Sequence, residues 1–300
     1  MIIITAGNKY IDIDAYASGI AYTKLLNAFG QKAIFASTAT INGSVCKLIT
    51  NLGFELTRNY TPQKEDNFIL VDISNPDFFD KIVDKNRIIE IIDHHTGFEK
   101  YWTEKNIKTN IEFIGSVATI IYEKFIEYGK IDLLTPELCK LLVAAILDNT
   151  LNLKSDITSQ RDFNAYNQLH KIGNLSKNFD KQYFEDCQTE INNDIIDAID
   201  KDIKIEYVSD KLPKVFGQLT LYDVDKILDN QKEIINHFNK KYDEWLLNLI
   251  CIKDARSYIL TNDEVSQTKL SKLFNNKFKN NILILEKFKL RKEIMKMARD

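Results

Sequence analysis

The chain has 300 residues, a net charge of −3 at pH 7, and 44% hydrophobic and 28% charged residues. That is the composition of an ordinary soluble protein with room for two domains, and it lacks the basic field expected of a chain that binds nucleic acid. No apolar run is long enough to span a bilayer and the N-terminus shows no signal-peptide pattern. The four cysteines, Cys46, Cys139, Cys187 and Cys251, form no CxxC pair, so reduced thiols in a cytoplasmic protein are expected.

In chain order, MIIITA (1–6) reads as a buried strand and AYASGIAYTKLLNAFG (15–30) as an amphipathic helix closed by Gly30. KAIFAST (32–38) is a second strand and SVCKLITNLG (44–53) a second helix. NFILVDIS (67–74) is a buried strand ending at Asp72, DFFDKIV (77–83) a short helix, and RIIEIID (87–93) another buried strand ending at Asp93. IGSVATIIYEKFIEYG (114–129) is a helix with Ser116 as N-cap and Gly129 at its end. Thr135-Pro136-Glu137 opens the next, with proline at the first helical position, and it runs to Asp148. Residues 158–190 are helical and polar, and a boundary falls in NLSKNFDKQYFED (174–186). Beyond it, strands KIEYV, KVFGQLTLY, WLLNLICI, SYILT and KNNILILEKF mix with a polar helix from Asp223 to about Asn239. The expected fold class is α/β: a mostly parallel, doubly wound sheet covered on both faces, then a smaller α+β domain.

Ligands of an open parallel sheet bind outside the carboxyl ends of its strands, so the residues just past those ends carry the functional signal. Asn8, Asp12 and Asp14 follow the first strand. Asp72 follows NFILV, Asp93, His94 and His95 follow IIEII, and Asp148 follows LLVAAIL. Singly, each has a plain reading: Asp-x-Asp caps a helix or sits in a solvated turn, and Asp148 ends a helix. Together they imply a cation, because clustered carboxylates raise one another's pKa unless positive charge neutralises them. Carboxylate oxygen with imidazole and no thiolate suits Mn²⁺ or Mg²⁺ better than structural zinc.

The motif order, DxD, a lone Asp, DHH, then a final Asp before Thr, resembles that of the DHH phosphoesterase superfamily. IIEIIDHH, IEFIGSVATIIYEKF and ILDNTLNLKSDITSQRD look like segments of the manganese-dependent, family II inorganic pyrophosphatases. The second half resembles a DHHA2 domain through DIK (202–204), VFGQLTLYDVD (215–225), KDARSYILT (253–261) and KLRKE (289–293). The resemblance implies a DHH metal-binding domain over 1–180, a DHHA2-like substrate domain over 187–300, and an active site in the cleft between them. It also implies two divalent cations, Mn²⁺ or Mg²⁺. Asp12 would bind the first and Asp14 the second; Asp72 would bridge both, and His94 and Asp148 would complete the second site. His95 would touch the substrate phosphate, and Asp93 would orient the motif from behind. Lys204, Arg291 and Lys292 match cationic substrate-binding positions, with Lys201 an alternative to Lys204. Asp72, His95 and Asp93 are the residues expected to carry catalysis.

Two departures stand out. Asn8 occupies the place of a histidine ligand in the pyrophosphatases, so its own place among the ligands stays open. The GN-x-x-x-D-x-D form looks more like the exopolyphosphatase and prune branch, and an amide oxygen favours Mg²⁺ more than imidazole does. Glu293 replaces a lysine of the family's basic tail, which lowers the local positive charge.

The resemblance thus implies hydrolysis of phosphoanhydride bonds in inorganic pyrophosphate or short polyphosphate by a water that two metals activate. Arg291 would act as a bidentate fork and Lys292 as a point charge. The partner is a small anionic phosphate, with no nucleic acid and no membrane, and a homodimer is allowed for. One alternative is a DHH-type phosphodiesterase acting on short oligonucleotides or cyclic dinucleotides. The glycine-rich GGGH segment of those branches is missing, since the last glycine is Gly217 and the last histidine His237. The other is a catalytically weakened, metal-binding regulatory protein, suggested by Asn8 and Glu293.

Overall fold

Runs of Ile, Leu, Val and Phe unbroken by polar residues need cover on both faces, and such runs build parallel sheets. The computed structural model describes residues 1–299, without the side chain of Lys292. They form two compact units, Met1–Tyr183 and Phe184–Asp300. The first contains β1 (Ile2–Thr5), β2 (Tyr10–Ile11), α1 (Ile13–Ala28), β3 (Ala33–Phe35), β4 (Thr40–Ile41), α2 (Lys47–Thr50) and β5 (Asn67–Val71). It continues with β6 (Ile88–Asp93), α3 (Glu99–Thr103), β7 (Lys108–Ile111), α4 (Val117–Glu127), α5 (Pro136–Asn149), α6 (Gln160–Ile172) and the start of α7 (Phe179–Asn193).

The main sheet has the order β3-β1-β5-β6-β7, every neighbouring pair parallel. The chain leaves β1 toward β3 and then crosses back to β5. The strand order therefore reverses between β1 and β5, and sheets of this kind bind ligands at the carboxyl edge of such a switch point. Phe68 and Leu70 of β5 face one side and join Ile3, Ile91, Phe79 and Trp102 in a buried cluster. α5 is apolar all round from Leu138 to Leu147, apart from Lys140, and packs against α1, α4 and α6. This buried helix carries Asp148 in its last turn. The expected caps are present: Ser116 accepts from the Ala118 N–H, Thr135 accepts from Leu138 with Pro136 next to it, and Gly129 closes α4 at φ 62°.

The second unit holds the rest of α7, α8 (Ile195–Lys201), β8 (Lys204–Ile205), β9 (Val215–Leu221), α9 (Asp225–Asp229), α10 (Gln231–Asn239) and β10 (Trp245–Cys251). It ends with β11 (Arg256–Leu260), α11 (Glu264–Phe274), β12 (Ile282–Leu285) and α12 (Arg291–Arg299). Its sheet is mixed, in the order β12-β11-β10-β9-β8, with only β9 and β10 parallel. The fold is thus α/β with a parallel sheet and a separate mixed sheet, as the alternating pattern predicts.

Local details differ. SVCKLITNLG forms only the four residues of α2. DFFDKIV is not a helix beyond a 3₁₀ turn at Pro76–Phe78. Its backbone is drawn to the end of β1, where Gly7 bridges Phe79 and Asp80 N donates to Ala6 O, and the buried Asp80 carboxylate accepts from Thr38 N and Oγ1. The polar helix expected from Asp223 to about Asn239 breaks at Asn230, whose amide donates back to Lys226 O and so ends α9. KIEYV keeps two strand residues. α3, β7, α8, α11 and α12 form where the sequence pattern predicts no element.

Candidate metal centre

The site begins where β5 and β6 end. Asp72 leaves β5 at φ 59°, a left-handed conformation that costs a non-glycine residue about 1–3 kcal/mol. Its N–H stays on the sheet, donating to Ile92 O at 2.9 Å. The turn brings its carboxylate beside the two histidines that follow β6: Asp72 Oδ1 lies 3.3 Å from His94 Nε2 and 3.8 Å from His95 Nδ1. Asp72, His94 and His95 offer ligand atoms within 4.8 Å of one another.

Asp93 builds the histidine turn. Its Oδ1 accepts from His94 N at 2.8 Å, His95 N at 3.1 Å and the His95 ring at 2.8 Å. A fully buried carboxylate with three donors on one oxygen can hold a tight turn at a strand end. Ser74 fastens this turn to the Asp72 loop: its hydroxyl donates to His95 O at 3.0 Å, while its own carbonyl accepts from Trp102 Nε1 at 2.7 Å. His94 Nδ1 faces the carbonyl of Ile114 at 3.1 Å. A carbonyl only accepts, so Nδ1 carries a proton, and the ring is held with Nε2 toward Asp72.

The charges of Asp12 and Asp14 reach both Asp72 and Asp148, though the ligand atoms within 4.8 Å of one another are those of Asp72, His94 and His95 alone among the described residues. Asp14 is fully buried, and both its oxygens engage the start of α4. Oδ1 accepts from Ser116 Oγ and Ala118 N, each at 2.9 Å, and Oδ2 from Val117 N at 2.8 Å. A carboxylate at a helix N-terminus also gains from the helix dipole. Asp12 caps α1 through Ala15 N at 3.0 Å. Asp148 Oδ1 accepts from Tyr183 Oη at 3.0 Å, and the same hydroxyl lies 3.0 Å from Ser44 O. Asn8 is exposed, and its backbone N–H donates to Phe78 O at 2.8 Å.

These acids feel one another. Burial first, and then the charge of Asp12, hold Asp14 at about 6 against opposition from His94 and the Val117 and Ala118 amides. Burial raises Asp148 to about 7, with Asp12 and Asp14 adding to the rise and the Tyr183 hydrogen bond opposing it. Asp72 is raised well above the usual carboxylate range by burial, then by Asp12 and Asp14. For His95, partial desolvation pulls downward, but the Asp93 hydrogen bond and the Asp72 charge prevail and the pKa is raised. The donor set fits a divalent cation. Asp72 Oδ1 is buried without a hydrogen-bond partner, 3.3 Å from His94 Nε2. A carboxylate oxygen and an imidazole nitrogen so placed need a proton or a cation between them.

The expected cationic groups lie in the second unit. Lys204 pairs with Glu206 at 2.7 Å and is half exposed. Arg291, at the start of α12, lies over the Phe216 ring at 5.5 Å and is bound by the Asp202 carboxylate and, at 2.8 Å, the Asp202 carbonyl. The side chain of Lys292 lies outside the described residues. Glu293, the residue that departs from the basic tail, accepts from Leu290 N at 2.6 Å and so caps its own helix. Three contributors to the centre carried no functional signal in the sequence: the Ile114 carbonyl, the Ser116 hydroxyl (read only as a cap) and Tyr183, which sits in a stretch read as a polar boundary.

Residues 2–146 match the model of the DHH family, N-terminal domain. Along nearly its whole length the chain is similar to the manganese-dependent inorganic pyrophosphatase of Methanothrix thermoacetophila: 26% identity over 304 residues, covering 97% of this chain and 95% of that one. In fold it matches a Methanococcus jannaschii protein described as a candidate family II inorganic pyrophosphatase, with a TM-score of 0.66, 22% identity and full coverage of both chains. It also matches an exopolyphosphatase-related protein of Bacteroides fragilis, with a TM-score of 0.53, 13% identity and coverage of 99% and 89%. The match to the DHH family thus lies in residues 2–146, the domain that carries the strand-end acids and the Asp93-His94-His95 turn.

Proposed function

We propose that the chain is a divalent-cation-dependent hydrolase of phosphoanhydride bonds, acting on inorganic pyrophosphate or short polyphosphate. The observation that carries this reading is the pair His94 Nε2 and Asp72 Oδ1, 3.3 Å apart at the carboxyl ends of β5 and β6 among buried acids, with Asp72 Oδ1 lacking a hydrogen-bond partner. The names of the relatives that share nearly the whole chain support pyrophosphate as substrate and Mn²⁺ as metal.

Asp72, His94, Asp12, Asp14 and Asp148 would hold two cations, and Asn8 stays a candidate only through its exposed position after β1. When bound, such cations acidify a water and offset charge on phosphoryl oxygens. The protein's own groups do the rest. Asp93 fixes the His95 ring through Nδ1, so that the ring, 63% exposed, can present Nε2 to a phosphate oxygen. The raised pKa of His95 favours the protonated form that donates such a bond. The reaction adds water across a P–O–P bridge: the water oxygen bonds to one phosphorus, the bridging P–O bond breaks, and the departing phosphate takes up a proton. Lys204, Arg291 and Lys292 remain the proposed anion-binding cations of the second unit. In Arg291 the guanidinium must exchange Asp202 for phosphate.

Phosphate release from pyrophosphate, tripolyphosphate and long polyphosphate, each with Mn²⁺ or Mg²⁺, tests the reading. Release from pyrophosphate or tripolyphosphate supports it. A protein that binds Mn²⁺ but releases phosphate from none of the three refutes it and directs attention to a phosphodiester substrate or a binding role.

A further inference from the structure

Asp162 is a carboxylate that the proposed chemistry does not use, yet it is fully buried at the start of α6. It accepts four hydrogen bonds. Two come from Ser159, from N at 2.8 Å and Oγ at 2.7 Å, and make an ordinary capping box. The other two come from a distant part of the chain: Gly115 N donates to Oδ2 at 3.0 Å, and Thr119 Oγ1 to Oδ1 at 2.7 Å. A cap needs neither. They grip both ends of the segment that leads into α4.

That segment does two things for the metal centre. Ile114 O receives the His94 Nδ1 proton and so aims Nε2. Ser116 Oγ, Val117 N and Ala118 N hold both oxygens of Asp14. The grip leaves no slack: a Cβ on Gly115 would lie 2.7 Å from Asp162 Oδ2 and 2.6 Å from Thr150 Cγ2. Glycine is required there by close approach rather than by backbone angle.

We propose that Asp162 is a positioning residue for the metal centre, clamping the 114–119 segment so that one buried carboxylate fixes both His94 and Asp14. This rests on the metal reading above and names what holds its ligands in place. Asp162→Asn keeps the shape but removes the charge that strengthens all four hydrogen bonds, and its amide N–H must either reverse the bond to the Thr119 hydroxyl or face the Gly115 and Ser159 N–H groups.

The test is Mn²⁺ titration by calorimetry on wild type, Asp162→Asn, Gly115→Ala and Leu169→Ala, with melting curves to show each sample is folded. Leu169 is fully buried on the same helix, so its truncation loosens α6 without touching the clamp. The Asp162→Asn and Gly115→Ala proteins should bind Mn²⁺ roughly 10–100-fold more weakly, the usual cost of losing a residue that supports a metal ligand, and Leu169→Ala should stay within about twofold of wild type. In the metal-free protein, amide exchange at Gly115 and Val117 should speed up in Asp162→Asn. Wild-type affinity in the folded Asp162→Asn protein, or an equal loss in Leu169→Ala, would overturn the clamp. If wild type itself takes up no Mn²⁺, the metal reading fails instead, and unchanged exchange at Gly115 and Val117 would overturn the clamp independently.

Discussion

Removing divalent cations should destabilise the first unit, and should do so more at alkaline than at acid pH. Asp14 is fully buried and held at about 6, against 3.8 for an ordinary Asp. Between those values the folded chain keeps a proton that the unfolded chain has lost, so stability falls as pH rises from about 4 through about 6 and stays low above. At about 1.4 kcal/mol per pH unit, that interval is worth about 3 kcal/mol from Asp14 alone. Asp148, at about 7, and Asp72 act in the same direction. For a domain of this size 1 kcal/mol moves the melting temperature by roughly 2–4 °C; about 2 kcal/mol of the Asp14 contribution lies above about pH 4.5, so Asp14 alone should cost the metal-free protein about 4–8 °C between about pH 4.5 and about pH 8. Mn²⁺ at about a thousand times its dissociation constant adds about 4 kcal/mol and should erase most of that loss. Differential scanning calorimetry of EDTA-stripped and Mn²⁺-loaded protein at both pH values checks this. Equal melting of the stripped protein at the two pH values, with no upward shift from Mn²⁺ at alkaline pH, would refute the idea that these acids lie together and need a cation.

Three other outcomes follow from particular contacts. Tyr183→Phe removes only the hydroxyl shared by Asp148 and Ser44. It should weaken Mn²⁺ binding about tenfold while costing only about 1–2 kcal/mol of stability, as read by titration and denaturant melts on the same samples. Glu90→Gln strips the buried Lys124 and the Tyr22 hydroxyl of their charged partner, with Lys108 also bound there. Urea unfolding should show a loss of about 3–5 kcal/mol, largely restored by adding Lys124→Met. Asp202→Asn frees Arg291 from its counter-ion, and pyrophosphate affinity should rise roughly two- to fivefold at low salt, the worth of one partly exposed pair; an unchanged affinity would remove Arg291 from the list of anion-binding groups.

The sheet was legible because its strands are apolar runs and its helices carry their own punctuation. Ser116, Gly129, Thr135 and Pro136 mark ends by local chemistry that tertiary packing did not override. Asp72 and the Asp93-His94-His95 turn were legible for a related reason: polar residues directly after buried strands have little to do structurally. What could not be read depends on contacts far apart in sequence. The failure of DFFDKIV to form a helix is decided by Asp80 reaching Ser37 and Thr38 some forty positions away. The exposed state of Asn8, the withdrawal of Glu293 into a helix cap and the capture of Arg291 by Asp202 are likewise products of the fold. Asp162 shows the division within one residue. Its capping box with Ser159 is written in the spacing, whereas its hold on Gly115 is invisible until α4 and α6 meet.

The measurement that bears most directly on the central claim is a ³¹P NMR time course of pyrophosphate with EDTA-stripped wild type and Asp72→Ala, each followed before and after Mn²⁺ is added. The account predicts conversion to orthophosphate only in wild type and only after Mn²⁺. Conversion by Asp72→Ala at the wild-type rate, or none by wild type with Mn²⁺ bound, would contradict it.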